Sequence, residues 1–244
     1  MMPSSFFKHS LSIVGVAAVV GMTSFIGGNS AYAATIDTAP SWDGSTSVRP
    51  WGVPNTSTYG QTFTVTGSNN VLQSFSFQIA QASTPIPFAA YVAEWAGGRN
   101  GNIVGSLLYN SGQKLFSNVS SGFQQLTINT GGIQLNTGSK YVAFLSTSGL
   151  QAGSPSSTTS FGNVFNGQAY ADGEFVFYNT GDNFAPLLNS NWETFADFGD
   201  LAFQANLTGA TAVPTPALLP GLIGLGVSVL RKRKAEAVKQ TSEV

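Results

Sequence analysis

In the middle of this chain apolar side chains return at every second position in short runs, and pieces built from Gly, Asn, Ser and Thr break the runs apart. Val71, Phe75, Phe77 and Ile79 share one parity while Ser74, Ser76 and Gln78 take the other; Leu201, Phe203, Ala205 and Leu207 alternate with Gln204 and Asn206. A period of two turns one set of side chains to a buried face and the other to water, which is the pattern of a half-buried antiparallel strand. Similar runs at 61–66, 88–95, 104–109, 123–129, 141–147 and 173–178 are separated by turn-forming pieces such as Gly67-Ser68-Asn69-Asn70 and Asn136-Thr137-Gly138-Ser139. The pattern predicts eight or nine strands and no helix of useful length in this region. We therefore expect an all-β domain, an antiparallel β-sandwich of jelly-roll-like type.

Composition narrows the chemistry. The chain has no Cys, so no disulfide framework holds the domain and its core must suffice, which a domain of roughly 180 residues can supply. Its one His, His9, falls in a segment expected to be removed. A mature domain without His or Cys offers no Ser-His-Asp triad, no thiolate nucleophile and no N/S zinc site. Charged residues make up 9%, against about 25% in ordinary soluble domains. Between residues 34 and 213 four cations stand against nine carboxylates, a net charge of −5. That balance disfavours nucleic acid and anionic lipid as partners and permits divalent cations.

Both ends read as addresses. Residues 1–33 hold Lys8, an apolar run from Leu11 to Val20, and the close Ser30-Ala31-Tyr32-Ala33 with small residues at −3 and −1. This is a secretory signal peptide of A-x-A type, handled by the Sec translocon and signal peptidase, with Ala31 and Ala33 as its recognition residues and cleavage after Ala33. Residues 34–209 form the exported domain. Val213 to Leu230 is eighteen residues without a charge, about 27 Å as a helix, and Arg231, Lys232, Arg233 and Lys234 follow at once. The cations stop transfer and stay cytoplasmic with the tail 235–244, so the domain lies outside. Gly221, Gly224 and Gly226 are tolerated in lipid and let another helix approach closely.

The tail carries a family resemblance. Pro214-Thr215-Pro216-Ala217, the apolar span and the basic cluster, together residues 210–234, resemble the PTPA variant of the PEP-CTERM sorting signals of bacteria, notably cyanobacteria. Thr215 stands where the larger family has Glu. The resemblance implies recognition by an exosortase-type membrane peptidase and a destination in the cell envelope or the extracellular polysaccharide matrix. The span is then either removed or kept as an anchor. The middle of the chain also resembles the bodies of other PEP-CTERM proteins, through Gly60 to Thr64, Ser74 to Phe77, Ala90 to Trp95, Lys140 to Thr147 and Asp200 to Phe203.

Without His or Cys, the catalytic route left is a pair of carboxylates, as in glycoside hydrolysis. Glu94, Asp172, Glu174, Glu193, Asp197 and Asp200 are the candidates. Glu94 shares a parity with Phe88, Ala90 and Val92, which makes it either a buried acid or the rim residue where the strand ends. Asp172-Gly173-Glu174, Gly181-Asp182-Asn183 and the pair Asp197 and Asp200 are either solvated turn carboxylates or oxygen ligands of a structural calcium ion; no other cofactor is expected. Trp42, Trp51, Trp95 and Trp192 lie beside turn-forming pieces. Trp95 and Trp192 are the contacts expected if the domain binds a glycan, since an aromatic face stacks on a sugar, whereas lids on the core are the plainer reading of such residues. The expectation is a non-enzymatic structural or adhesive protein of the envelope or matrix. The alternatives are a carbohydrate-binding module and a carboxylate-dependent glycosidase or lyase.

Overall fold

The structure is a computed structural model that describes residues 33–209 apart from 99, 119, 152–156, 166, 180 and 195–198. Ala31, the sorting residues Pro214, Thr215, Pro216 and Ala217, the basic cluster Arg231, Lys232, Arg233 and Lys234, and also Arg99 and Asp197, lie outside the described residues. Among the described residues no helix is long and apolar enough to cross a membrane.

The chain is all-β. The strands are β1 (Ala34–Asp37), β2 (Ser47–Trp51), β3 (Thr58–Thr64), β4 (Asn69–Ala80), β5 (Ile86–Ala96), β6 (Asn102–Phe116), β7 (Phe123–Gln134), β8 (Lys140–Ser146), β9 (Thr159–Val164), β10 (Phe175–Tyr178), β11 (Asp200–Leu201) and β12 (Phe203–Gly209). One sheet has the order β1-β12-β4-β9-β11, with β7 joined to β4 and β2 joined to β9; the other runs β10-β3-β8-β5-β6. All pairings between these strands are antiparallel.

Each run expected from the alternation is a strand. Four further strands, β1, β2, β9 and β11, were not legible as such. β2 contains Pro50, β11 has two residues, and β9 starts at Thr159, inside a Ser/Thr-rich piece that reads as loop. The alternation also misplaces Val71. A register shift between Leu72 and Ser74 inserts one residue into β4 relative to β12, and β7 carries extra residues opposite the same point, so Leu72 is fully buried while Val71 takes the outer side.

The two sheets pack face to face on an aromatic core. Phe75, Phe77 and Ile79 of β4, Phe161 of β9 and Phe203 of β12 meet Tyr59 and Phe63 of β3, Phe88 of β5, Tyr141 of β8 and Phe175 of β10. Rings touch across the interlayer, Tyr59 with Phe161 at 5.4 Å and Phe63 with Phe203 at 6.1 Å between centroids. Such pairs add about 0.5–1.5 kcal/mol each beyond burial alone. Trp51 fills the end of this layer against Phe161 and Phe88.

One polar clamp crosses the same layer. Gln61 sits in β3 between Tyr59 and Phe63, at a core-facing position where the alternation calls for an apolar side chain. Its Nε2 donates to Asp200 Oδ1 at 2.6 Å, and its Oε1 accepts from the Leu201 N–H at 2.8 Å. The Tyr170 N–H donates to Asp200 Oδ2 at 2.9 Å, and Asn163 Nδ2 donates to the Asp200 carbonyl at 3.0 Å. Burial raises the carboxyl of Asp200 above its ordinary value of 3.8, and the donated hydrogen bonds oppose the rise.

Two outcomes follow for this clamp. Between pH 3.8 and the raised folded value the folded chain binds more protons at Asp200 than the unfolded chain. The stability contributed by this group is therefore complete below pH 3.8 and is lost as pH rises through the folded value; Asp200→Asn should flatten that slope in urea unfolding measured across the acid range. Gln61→Leu leaves a buried carboxylate oxygen and the Leu201 N–H without their partner, and should cost about 2–4 kcal/mol at neutral pH.

Candidate functional site

The outer face of the second sheet is closed by the chain itself. Ala89, Tyr91, Ala93 and Trp95 of β5, with Val142 and Phe144 of β8 and Val176 of β10, point away from the sandwich core into a second apolar cluster. The segment through the 3-10 turn Ala185–Leu188 to Trp192 covers them. Trp192 is the keystone of this cover. Its ring meets Trp95 edge to face at 5.6 Å and Phe144 at 5.0 Å, its Nε1 donates to the Leu187 carbonyl at 2.9 Å, and its backbone N–H donates to the Gly101 carbonyl at 2.8 Å. Gly101 is required there because a Cβ would lie 2.5 Å from the Trp95 indole nitrogen.

This settles where the two expected sugar contacts lie. Trp95 is 4% exposed and Trp192 is 0% exposed, so neither ring offers a face to a ligand; both act as lids of the second core. Trp51 is also fully buried. Trp42 alone among the four tryptophans is half-buried. Spacing beside a turn could not separate it from the others, because what distinguishes them is which sheet face the chain returns to cover.

The described carboxylates fall in separate places: Glu174 lies near enough to Asp200 to raise its carboxyl, Asp172 and Asp200 both act on Tyr170, and Glu94 and Glu193 belong to other segments. β5 continues through Glu94 to Ala96, and Glu94 is half-buried at the end of the inner row, opposite Tyr141 and Val104. Glu193 bridges Phe177 beyond β10 and follows Trp192 in the segment that covers the outer side of the sheet, whereas Glu94 shares the inward parity of Ala90 and Val92. Asp200 is committed to Gln61 and Tyr170. Asp182 accepts the Gly149 N–H at 2.9 Å. Among the described residues no three or more His, Cys, Asp or Glu side chains gather where they could hold a metal ion.

The outer face of the first sheet is built differently. β1, β12, β4 and β7 lie side by side, and the pairing aligns Asp37, Gln204, Ser76 and Thr127 in one row across them and Thr35, Asn206, Ser74 and Asn129 in the next. Their neighbours along each strand, among them Ile36, Ala205, Phe75 and Ile128, belong to the core or pack on it, so both rows face outward. Hydrogen bonds tie the rows. Gln204 Nε2 donates to Asp37 Oδ2 at 2.9 Å, Asn206 Nδ2 to Ser74 Oγ at 3.1 Å, Gln125 Nε2 to Ser76 Oγ at 2.8 Å, and Thr35 Oγ1 to Asn206 Oδ1 at 3.2 Å. An amide has two N–H donors and a carbonyl with two lone pairs, so these bonds orient each group while using part of its capacity. The four strands contain no Lys or Arg and a single carboxylate, Asp37.

Trp42 stands at one end of this face. Its ring lies over Gly162 of β9, where a Cβ would come within 2.9 Å of the indole carbons and 3.0 Å of the Ala202 Cβ. It meets Phe123 edge to face at 4.8 Å, and its Nε1 donates to the Thr46 carbonyl at 2.6 Å. Phe123 pairs with Ala80, and the next outward pair along the same strands is Gln78 and Gln125, one pleat repeat or about 7 Å further on. The loop that carries the indole is fixed by Asp43, whose carboxylate accepts the Ser45 and Thr46 N–H groups at 2.8 and 2.6 Å and the Thr46 hydroxyl; these bonds hold the carboxyl well below its usual range. The face thus combines a held aromatic platform with ordered, uncharged donors and acceptors.

No family model matches the chain, and no curated protein matches it. A solved structure with some likeness is that of the cysteine protease and lectin-like domains of Cwp84, a surface layer associated protein of Clostridium difficile, at 13% identity and a TM-score of 0.39 over 64% of this chain. The match spans 33% of that structure's chain. A superposition this loose assigns no chemistry, and the site stands on its own residues.

Gly162→Ala should push the Trp42 ring off the sheet. We expect a loss of about 1–3 kcal/mol, read from thermal unfolding, together with a shift of tryptophan emission toward that of exposed indole.

Proposed function

We propose that the chain is an exported, non-enzymatic protein of the cell envelope or extracellular matrix, structural or adhesive, sorted by an exosortase-type peptidase through its C-terminal signal. The succession of Pro214-Thr215-Pro216-Ala217, an uncharged span and four cations is the sequence feature behind the reading. What supports it in the fold is the placement of the first and last described strands. β1 begins at Ala34, the residue after the expected signal-peptidase cut, and β12 is described up to Gly209. The two strands pair with each other, Ala34 opposite Leu207. Removal of both ends would therefore leave every described strand intact and release them from the same end of two neighbouring strands. The jelly-roll-like connectivity belongs to this proposal, as does the topology with the domain outside and residues 235–244 in the cytoplasm.

A domain cut free in this way keeps its fold through the aromatic core, since it has no cysteine to oxidise in an exported compartment. The partners of this reading are the Sec translocon and signal peptidase on the way out, the exosortase at the membrane, and extracellular polysaccharide at the destination.

Intact-mass measurement on protein recovered from envelope and medium tests the proposal. The expected mature chain starts at Ala34, and deletion of 214–234 should abolish surface retention. A chain that still begins at Met1, or a deletion that leaves processing and retention unchanged, overturns it.

A further inference from the structure

The sandwich has two outer faces, and the described chain treats them unequally. The face of β5, β8 and β10 is apolar and covered by residues 184–192. The face of β1, β12, β4 and β7 carries hydroxyls and amides, and no described segment covers its two rows, in which Thr35, Asp37, Thr127 and Asn129 are exposed, Gln204, Asn206 and Ser74 are half-buried, and Ser76 is buried and bonded to the exposed Gln125. An apolar partner has little to gain on the two rows, because none of their eight residues is apolar. An ionic partner has little to gain either, with one carboxylate and no cation on the four strands. A partner rich in neutral groups that both donate and accept hydrogen bonds matches it on every count.

We propose that this face binds an uncharged polysaccharide, with Trp42 stacking on the apolar face of a sugar ring and the Gln/Asn/Ser/Thr rows hydrogen-bonding to the hydroxyls of the following sugars. Three features carry the inference. Trp42 is half-buried, so one side of the indole is fixed by Gly162 and Phe123 while part of it stays accessible. The rows extend over four strands, about 14 Å, which accommodates a run of sugars rather than a single one. Their side chains are held in place before any ligand arrives by the bonds between Gln204 and Asp37, Asn206 and Ser74, and Gln125 and Ser76, which lowers the ordering cost of binding. The inference rests on the proposed export only for where such a polymer would be met.

The test uses the full chain in a zwitterionic detergent, since a sugar-based one would compete, with neutral hexaoses of β-glucan, mannan and xylan as probes and hexagalacturonate as the charged one. Calorimetry and tryptophan fluorescence should show saturable binding of at least one neutral hexaose and markedly weaker binding of hexagalacturonate. Trp42→Ala should weaken the neutral interaction about tenfold or more, and Trp42→Phe should retain most of it. Thr127→Lys, an exposed substitution that leaves the core untouched, should weaken it similarly, and it decides the matter if Trp42→Ala unfolds. No saturable binding of any neutral hexaose, equal binding of the charged one, or binding indifferent to Thr127→Lys overturns the proposal. A chain retained in the cell that still binds the hexaose would overturn the export reading and leave this one standing; a properly exported chain that binds none would do the reverse.

Discussion

Everything in this domain depends on the contact between the inner faces of its two sheets. With no disulfide available, the sheets are held by a layer of buried aromatic rings and by one polar clamp that passes through it. The rings fill volume efficiently and pair edge to face, so they supply both burial and orientation. Gln61 and Asp200 add a different constraint. An amide and a carboxylate in an apolar layer are costly unless each finds its partner, and here they do so at one relative placement of the sheets. The clamp therefore fixes register between layers that greasy contacts alone would allow to slide.

That fixed interlayer determines what the outer faces can be. Because side chains alternate along a strand, the choice of Phe75, Phe77 and Ile79 as the inner row of β4 places Ser74, Ser76 and Gln78 outside, and the pairing of β12 and β7 brings their own polar residues alongside. The same rule on the second sheet sends Tyr91, Ala93 and Trp95 outward, where they would meet water if the chain did not return over them through Leu187 and Trp192. One outer face thus becomes a second core and the other an ordered polar surface. The tryptophans sort accordingly: three are structural and Trp42 borders the polar surface.

The alternation of apolar and polar residues was enough to identify the main strands, the antiparallel character and the inward rows of most of them. It failed where local features broke the period of two. The extra residue at Leu72 to Ser74 shifts parity in mid-strand, β9 has hydroxyls where a strand normally shows apolar residues, and β11 is too short to show any period. The candidate face was half visible: its serines and glutamines were already assigned to the outward parity of β4, yet nothing in the run itself says that four strands from distant parts of the chain will align them.

By itself the sequence determined the class of the fold and the absence of thiol and imidazole chemistry from the domain, because these follow from residue types and short periods. Tertiary structure alone decided which tryptophans are buried, which carboxylates are committed, and which face stays open. Those outcomes depend on contacts between residues such as Trp42 and Phe123, or Gln61 and Asp200, 81 and 139 positions apart. A linear pattern records how each strand divides its side chains between two sides, but not what the folded chain then lays against either side.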